Sequence, residues 1–132
     1  MIENSIRNKA LQSAALSSLI ATRLHFTTSH NSNDNYVLLQ LITDQTPIEV
    51  HLEDSQSEAL IQFDCYSTSP ETAKAIAKEL ANIFNKQGFS DSSVNVQLAL
   101  KQNRIPDFET GSGLYRESYE YIFYYHNLNN EV

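Results

Sequence analysis

The stretch "GSGLYRESYEYIFYYH", Gly111–His126, decides what kind of sheet this chain can build. It holds five of the chain's seven tyrosines. Tyrosine and phenylalanine suit a pleated, half-buried surface, so Leu114 to about His126 reads as the last strand. Alternation puts Tyr115, Tyr119, Tyr121, Phe123 and Tyr125 on one face, with Glu117 among them. It puts Leu114, Ile122 and Tyr124 on the other, with Arg116, Ser118 and Glu120. Helices can cover one of these faces. The other still carries large apolar side chains.

Working back along the chain, "VNVQLALK" (94–101) alternates, with Val94, Val96, Leu98 and Leu100 on one side. "QNRIPDFETGSG" (102–113) reads as a loop punctuated by Pro106, Gly111 and Gly113. Upstream lies a well-marked helix. Thr68 and Glu71 have capping-box spacing, and Pro70 suits the first turn. Ala73, Ile76, Ala77, Leu80, Ile83 and Phe84 share one face, and Lys86 and Gly88 read as C-terminal signals. Burial of that face contributes roughly 5–10 kcal/mol gross, at about 25 cal/mol per Å².

"ALIQFDCYS" (59–67) and "YVLLQLIT" (36–43) are further strands. The second is apolar on both faces, so it should be covered on both sides. Between them, 44–58 is an excursion with a short alternating piece, Ile48, Val50 and Leu52, kept to an edge by Pro47. Residues 3–20 form the first helix by spacing, and 27–35 is a polar loop. The order α-β-β-α-β-β predicts an α+β domain: a four-stranded, mainly antiparallel sheet with two helices packed on one face. One domain spans 1–132, with 127–132 a polar tail.

Composition narrows the function. The net charge is −7, and nine Lys and Arg residues are scattered without a run. Phosphate neutralisation needs clustered cations, so specific nucleic-acid binding is not expected. No apolar run approaches the ~18 residues of a membrane span. One cysteine, Cys65, allows no internal disulfide and suits a reducing, cytoplasmic setting. Phosphate-loop, dinucleotide, zinc-protease and serine-hydrolase motifs are all missing. No enzymatic activity and no cofactor are expected.

Glu49, His51 and Glu53 could in principle hold a metal, but a solvated strand edge explains them, so no metal site is expected. Cys65 alternates with Ile61 and Phe63 and reads as a packing thiol. Asp107, Glu109, Glu117 and Glu120 could pair for acid–base work, yet nothing singles them out. The tyrosines have two readings. They are strand formers with hydroxyls at the rim, or they anchor a protein–protein surface. Two strands apolar on both faces, with only two helices to cover them, favour the second. The candidate interface is Tyr115, Arg116, Tyr119, Tyr121, Phe123 and Tyr125.

Two patterns resemble the tail-completion, or tail-terminator, family of long-tailed bacteriophages and their prophage relatives. "QFDCYSTSPETAKAIAKEL" (62–80) is a strand ending in an acidic residue and an aromatic, then a turn and an alanine-rich helix. "ETGSGLYRESYEYIFYY" (109–125) resembles the family's glutamate–threonine–glycine–leucine–tyrosine–arginine run into its last strand, with an extra Gly-Ser pair between Thr110 and Leu114. The resemblance covers roughly 2–126. It implies a homo-oligomeric ring, commonly a hexamer, that caps the tail tube and meets the head–tail connector protein. Its partners would be further copies of itself, the tail-tube protein and the connector. It would end in the virion tail after assembly in the host cytoplasm. An acidic channel would let DNA pass without gripping phosphates, which nominates Asp44, Glu49, Glu53 and Asp54 as channel-facing. The alternatives are a monomeric small-molecule-binding α+β domain with an apolar pocket, and a small hydrolase built on His51 or His126 with nearby carboxylates.

Overall fold

A computed structural model describes residues 2–26, 35–45, 56–109 and 113–128, with the backbone alone for 106–109. Two helices open the chain, α1 (Ile2–Leu11) and α2 (Ala14–Ile20). The expected single helix over 3–20 breaks at Gln12–Ser13. The Ser13 side chain accepts from the Leu16 N–H and so starts a second helix. A three-residue strand, β1 (Leu24–Phe26), follows. Then come β2 (Tyr36–Gln45), β3 (Ser57–Ser67), α3 (Pro70–Phe84), β4 (Gln87–Ser90), β5 (Val94–Glu109) and β6 (Leu114–Asn127).

Among the described residues the sheet therefore has six strands, in the order β1-β2-β3-β6-β5-β4. β1 runs parallel to β2 and the other neighbours pair antiparallel. The expected four-stranded sheet with two helices is corrected to six strands and three helices. Two short edge strands were the difference. β1 is too short for alternation to register, and β4 occupies the segment read as the end of α3.

The start and end of α3 differ from the sequence expectation for local reasons. Its N-cap is Ser69, not Thr68, and the Ser69 side chain accepts from the Thr72 N–H at 3.4 Å. Pro70 fixes this choice: the residue before proline is pushed to extended backbone, and Ser69 has φ −118° and ψ 128°. At the other end Asn85 caps the helix and Lys86 takes φ 63°, a conformation left-handed turns usually give to glycine. Gly88 has a different task, inside β4. A Cβ there would lie 2.8 Å from the carbonyl oxygens of Val96 and Gln97, so the close approach of β5 requires glycine.

β5 is longer than expected, because much of the supposed loop 102–113 is strand. It also carries two irregularities, between Val96 and Leu98 and between Lys101 and Asn103. Each inserts one residue and shifts the alternation. Val94, Val96 and Ala99 are buried in the core, while Leu98 is 36% exposed and Leu100 half-buried. The expectation that Leu98 and Leu100 share the face of Val94 and Val96 is thereby overturned.

The main core lies between the helices and one face of the sheet. It joins Ile6, Leu16, Ile20, Ile76, Leu80 and Phe84 to Val37, Leu39, Ile61, Phe63, Tyr121 and Phe123. Aromatic rings organise its centre. Phe63 stacks on Phe84 at 5.6 Å and meets Tyr121 edge-on at 5.5 Å, and Phe84 meets Phe123 edge-on at 5.5 Å. A smaller cluster on the other face holds Tyr36, Leu38, Tyr66 and Leu114, with the Tyr36 and Tyr66 rings stacked at 4.6 Å. β2 is thus buried on both faces from Tyr36 to Leu39, while Ile42, at its own irregularity, is 43% exposed.

Candidate functional site

The helix-covered face of β6 is the aromatic one. Tyr121, Phe123 and Tyr125 are 1%, 0% and 2% exposed. Their contact area is spent inside the subunit, so three of the nominated interface residues are core residues. Tyr115, Arg116 and Tyr119 are half-buried and reach the surface. Lys101 Nζ sits 5.0 Å from the Tyr119 ring centroid, a cation–π arrangement.

Beside Tyr119 the same face carries a small charged group. Glu117 is buried, accepts from Arg104 Nη2 at 2.7 Å and lies 3.5 Å from the Tyr119 hydroxyl. The hydrogen bond from Arg104 to Glu117, and the carboxylate's charge, hold the guanidinium above its usual range. Burial, then the Glu117 charge, raises the Tyr119 hydroxyl. In register with Glu117 is Cys65, fully buried. Burial first, then the charges of Asp64 and Glu117, push its thiol well up. A thiol held neutral is a poor nucleophile, so Cys65 packs, as its alternation suggests.

The opposite face bears no described helix. Register pairs on it run Leu38–Asp64–Ser118 and Gln40–Gln62–Glu120 across β2, β3 and β6. Asp64 is 1% exposed and collects three neutral donors. Ser118 Oγ donates at 2.6 Å, Gln62 Nε2 at 2.8 Å and Gln40 Nε2 at 2.5 Å. This network is not among the expected sites, although "QFD" carries its signal: two polar residues alternate onto one face of an otherwise apolar strand. Next to it lies an apolar row, Leu60–Ile122–Leu100, with Tyr124–Leu98 beside it. These side chains are half-buried or, for Leu98, exposed.

Of the nominated channel residues, Asp44 is exposed, and its Oδ1 accepts from the Tyr125 hydroxyl at 2.7 Å. Glu49, Glu53 and Asp54 lie outside the described residues, as do His30 and His51. Among the carboxylates weighed for acid–base chemistry, Glu117 and Glu120 fall on opposite faces of β6 by register, so they do not converge. The described residues hold no cluster of three or more His, Cys, Asp or Glu able to take a metal. No described helix is long and apolar enough to cross a membrane. A polar groove of about 370 Å³ lies between α1 and the β4–β5 turn, lined by Asn4, Asn8, Lys9, Gln12 and Ser90–Ser93. In that turn Asp91 Oδ1 accepts from the Ser93 and Val94 N–H groups at 2.7 and 2.9 Å.

No known family profile matches the chain, and no curated protein matches it. Its fold does have a solved counterpart. A chain from the structure titled "Virion of native gene transfer agent (GTA) particle" superposes with a TM-score of 0.70 at 10% identity, over 91% of this chain and 90% of that one. At that identity the likeness is one of fold, and it extends over nearly the whole of both chains.

Proposed function

We propose that this protein is a structural component of a phage-like virion, and within it a tail terminator. On this reading copies of the chain close into a ring, with a hexamer as the expected number. The ring caps the tail tube and offers its other side to the head–tail connector. It acts by assembly, without catalysis, cofactor or sequence-specific contact with nucleic acid.

The observation that carries the reading is the near full-length fold likeness to a chain of a gene transfer agent virion. The resemblance of 62–80 and 109–125 to tail-completion proteins adds the finer assignment. A repeated head-to-tail contact closes by rotation into a ring, and Tyr115, Arg116 and Tyr119 are the nominated aromatic-strand residues still half-exposed to serve it. The net charge of −7 suits a channel that DNA must slide through.

The test is tail assembly in a host carrying the chain's own phage or prophage, with and without its gene. Micrographs without it should show over-long tubes lacking heads, and complementation should restore tails of uniform length. Normal, head-joined tails in its absence would remove the assignment.

A further inference from the structure

We infer that the sheet face opposite the described helices docks a basic partner: an apolar segment of another protein, flanked by lysine or arginine. The inference goes beyond the terminator reading and does not depend on it.

The apolar row Leu60–Ile122–Leu100, with Tyr124 and Leu98, is continuous across β3, β6 and β5. The charges around it are of one sign. Glu58 pairs with Tyr124, and Glu120 with Gln62 and Asn103, so acidic side chains lie on both sides of the row. Glu58 is exposed and Glu120 half-buried.

The chain's nine cations are placed elsewhere, with one exception. Arg7 and Lys9 lie on α1, Arg23 precedes β1, and Lys74 and Lys78 lie on α3. Lys86 follows α3, and Lys101 and Arg104 sit in register with Tyr121 and Tyr119 on the helix-covered side. Arg116 alone shares the face opposite the described helices. It is half-buried at the end away from the apolar row, in register with Tyr66.

This distribution selects the occupant. Two copies meeting through this face would set the acidic rim of one, Glu58 and Glu120, against the acidic rim of the other, which costs rather than stabilises. Nor does another described surface of the chain offer the complement. Lys74 and Lys78 on α3 lie beside the exposed Glu71 and Asn82. On β5, Lys101 and Arg104 face the helix side, while Ile105 is in register with Ser118 on the other. An apolar segment with cations at both ends matches both the row and its rim. A nucleic-acid backbone matches neither.

The test uses the full chain at pH 8, above the usual titration range of histidine, in low salt. Two short synthetic peptides share an alternating valine–threonine centre. One ends in paired lysines, the other in paired glutamates. Methyl NMR of Leu60, Leu100 and Ile122 reads binding. The lysine peptide should shift those methyls and bind at least about tenfold more tightly than the glutamate peptide, a difference of ~1.4 kcal/mol. Its affinity should fall as salt rises. The double change Glu58→Lys and Glu120→Lys should reverse the preference, and Glu58→Lys alone, at an exposed position, should reduce it. Equal binding of both peptides, no shift with either, or light scattering that shows a dimer abolished by Ile122→Glu would each overturn the inference.

Discussion

Ser118 Oγ donates to Asp64 Oδ1 at 2.6 Å, joining residues 54 apart in sequence that face each other across β3 and β6. The acceptor is 1% exposed, and its donors Ser118, Gln40 and Gln62 are all uncharged. A buried carboxylate is costly unless its lone pairs are used, and here a hydroxyl and two amides use them. The network also fixes register. A one-residue slip of β6 would replace Ser118 opposite Asp64 with an aromatic or a carboxylate.

Removing the centre of this network should therefore cost more than removing a branch. Asp64→Ala strands the donors in a buried site and should lower stability by about 2–4 kcal/mol. Ser118→Ala leaves the two amides in place and should cost about 1–2 kcal/mol. Urea denaturation of both variants checks the order. Equal and small losses would mean that Asp64 is a tolerated polar residue, not a register device.

Two core tyrosines separate hydroxyl chemistry from ring packing. Tyr125 donates to Asp44 at 2.7 Å, whereas the buried Tyr121 hydroxyl has no hydrogen-bond partner among the described residues. Tyr125→Phe should cost about 1–2 kcal/mol. Tyr121→Phe should leave thermal stability unchanged or raise it by up to about 1 kcal/mol, since it removes an unsatisfied polar group.

Both tyrosines also predict an alkaline limit. Burial raises both hydroxyls above the ordinary tyrosine value of 10.0, and for Tyr125 the Asp44 carboxylate adds to this. The folded state thus prefers the neutral phenols. That preference is fully present below pH ~10 and is lost as pH rises from there towards the folded values. Cys65 acts in the same direction from the ordinary thiol value of 9.0. Unfolding followed by circular dichroism should begin as pH climbs above about 9–10, and Tyr125→Phe should flatten the slope.

How far the sequence could be read depends on whether one signal or two compete at a position. The α3 stripe of Ala73, Ile76, Ala77, Leu80, Ile83 and Phe84 has one, a helical period; five of the six are buried and Ile83 is half-buried against the core. The N-cap has two. Thr68 has the right spacing to Glu71, but Pro70 overrides it and hands the cap to Ser69. β5 was legible only as far as its first irregularity. Alternation assumes one residue per step, and nothing in "VNVQLALK" announces the extra residue at Gln97. Pro106 suggested a loop, yet the backbone stays in strand as its partner Glu117 on β6 does. β4 pairs with β5 only as far as Ala99, so among the described residues β5 has a neighbour on one side alone at Pro106, and a strand in that position tolerates proline because its other side needs no N–H. The aromatic face of β6 was read correctly as a face but assigned outward. Which side three helices cover is decided by long-range packing, not by the pattern itself.

The β4–β5 turn gives an acid-side prediction of opposite sign. Partial burial tends to raise the Asp91 carboxyl, but hydrogen bonds from the Ser5 side chain and from the Val94 and Ser93 N–H groups outweigh it, and the group stays below the ordinary aspartate value of 3.8. A depressed carboxyl contributes stability above its unfolded pKa. That contribution is lost as pH falls below about 4 and through the folded value. The site is largely solvent-accessible, so the effect is small. Asp91→Asn keeps an acceptor for the turn and should remove part of the pH dependence between pH 4 and 2. Asp91→Ala removes the turn's acceptor as well and should cost about 1 kcal/mol at neutral pH.

The last prediction divides packing from assembly within the aromatic strand. Tyr121 meets Phe63 edge-on in the core, so Tyr121→Ala should destabilise the monomer itself, by about 3–5 kcal/mol. Tyr115 and Tyr119 are half-buried, and their truncation leaves no comparable core cavity. If they anchor contacts between copies, Tyr115→Ala and Tyr119→Ala should weaken ring formation by up to ~2 kcal/mol each while thermal unfolding of the subunit moves much less. Light scattering coupled to size exclusion, run at several concentrations beside a thermal melt, reads the two quantities independently. Rings that form at wild-type concentration in both variants would move the contact away from β6, because no other nominated tyrosine on its aromatic face reaches the surface.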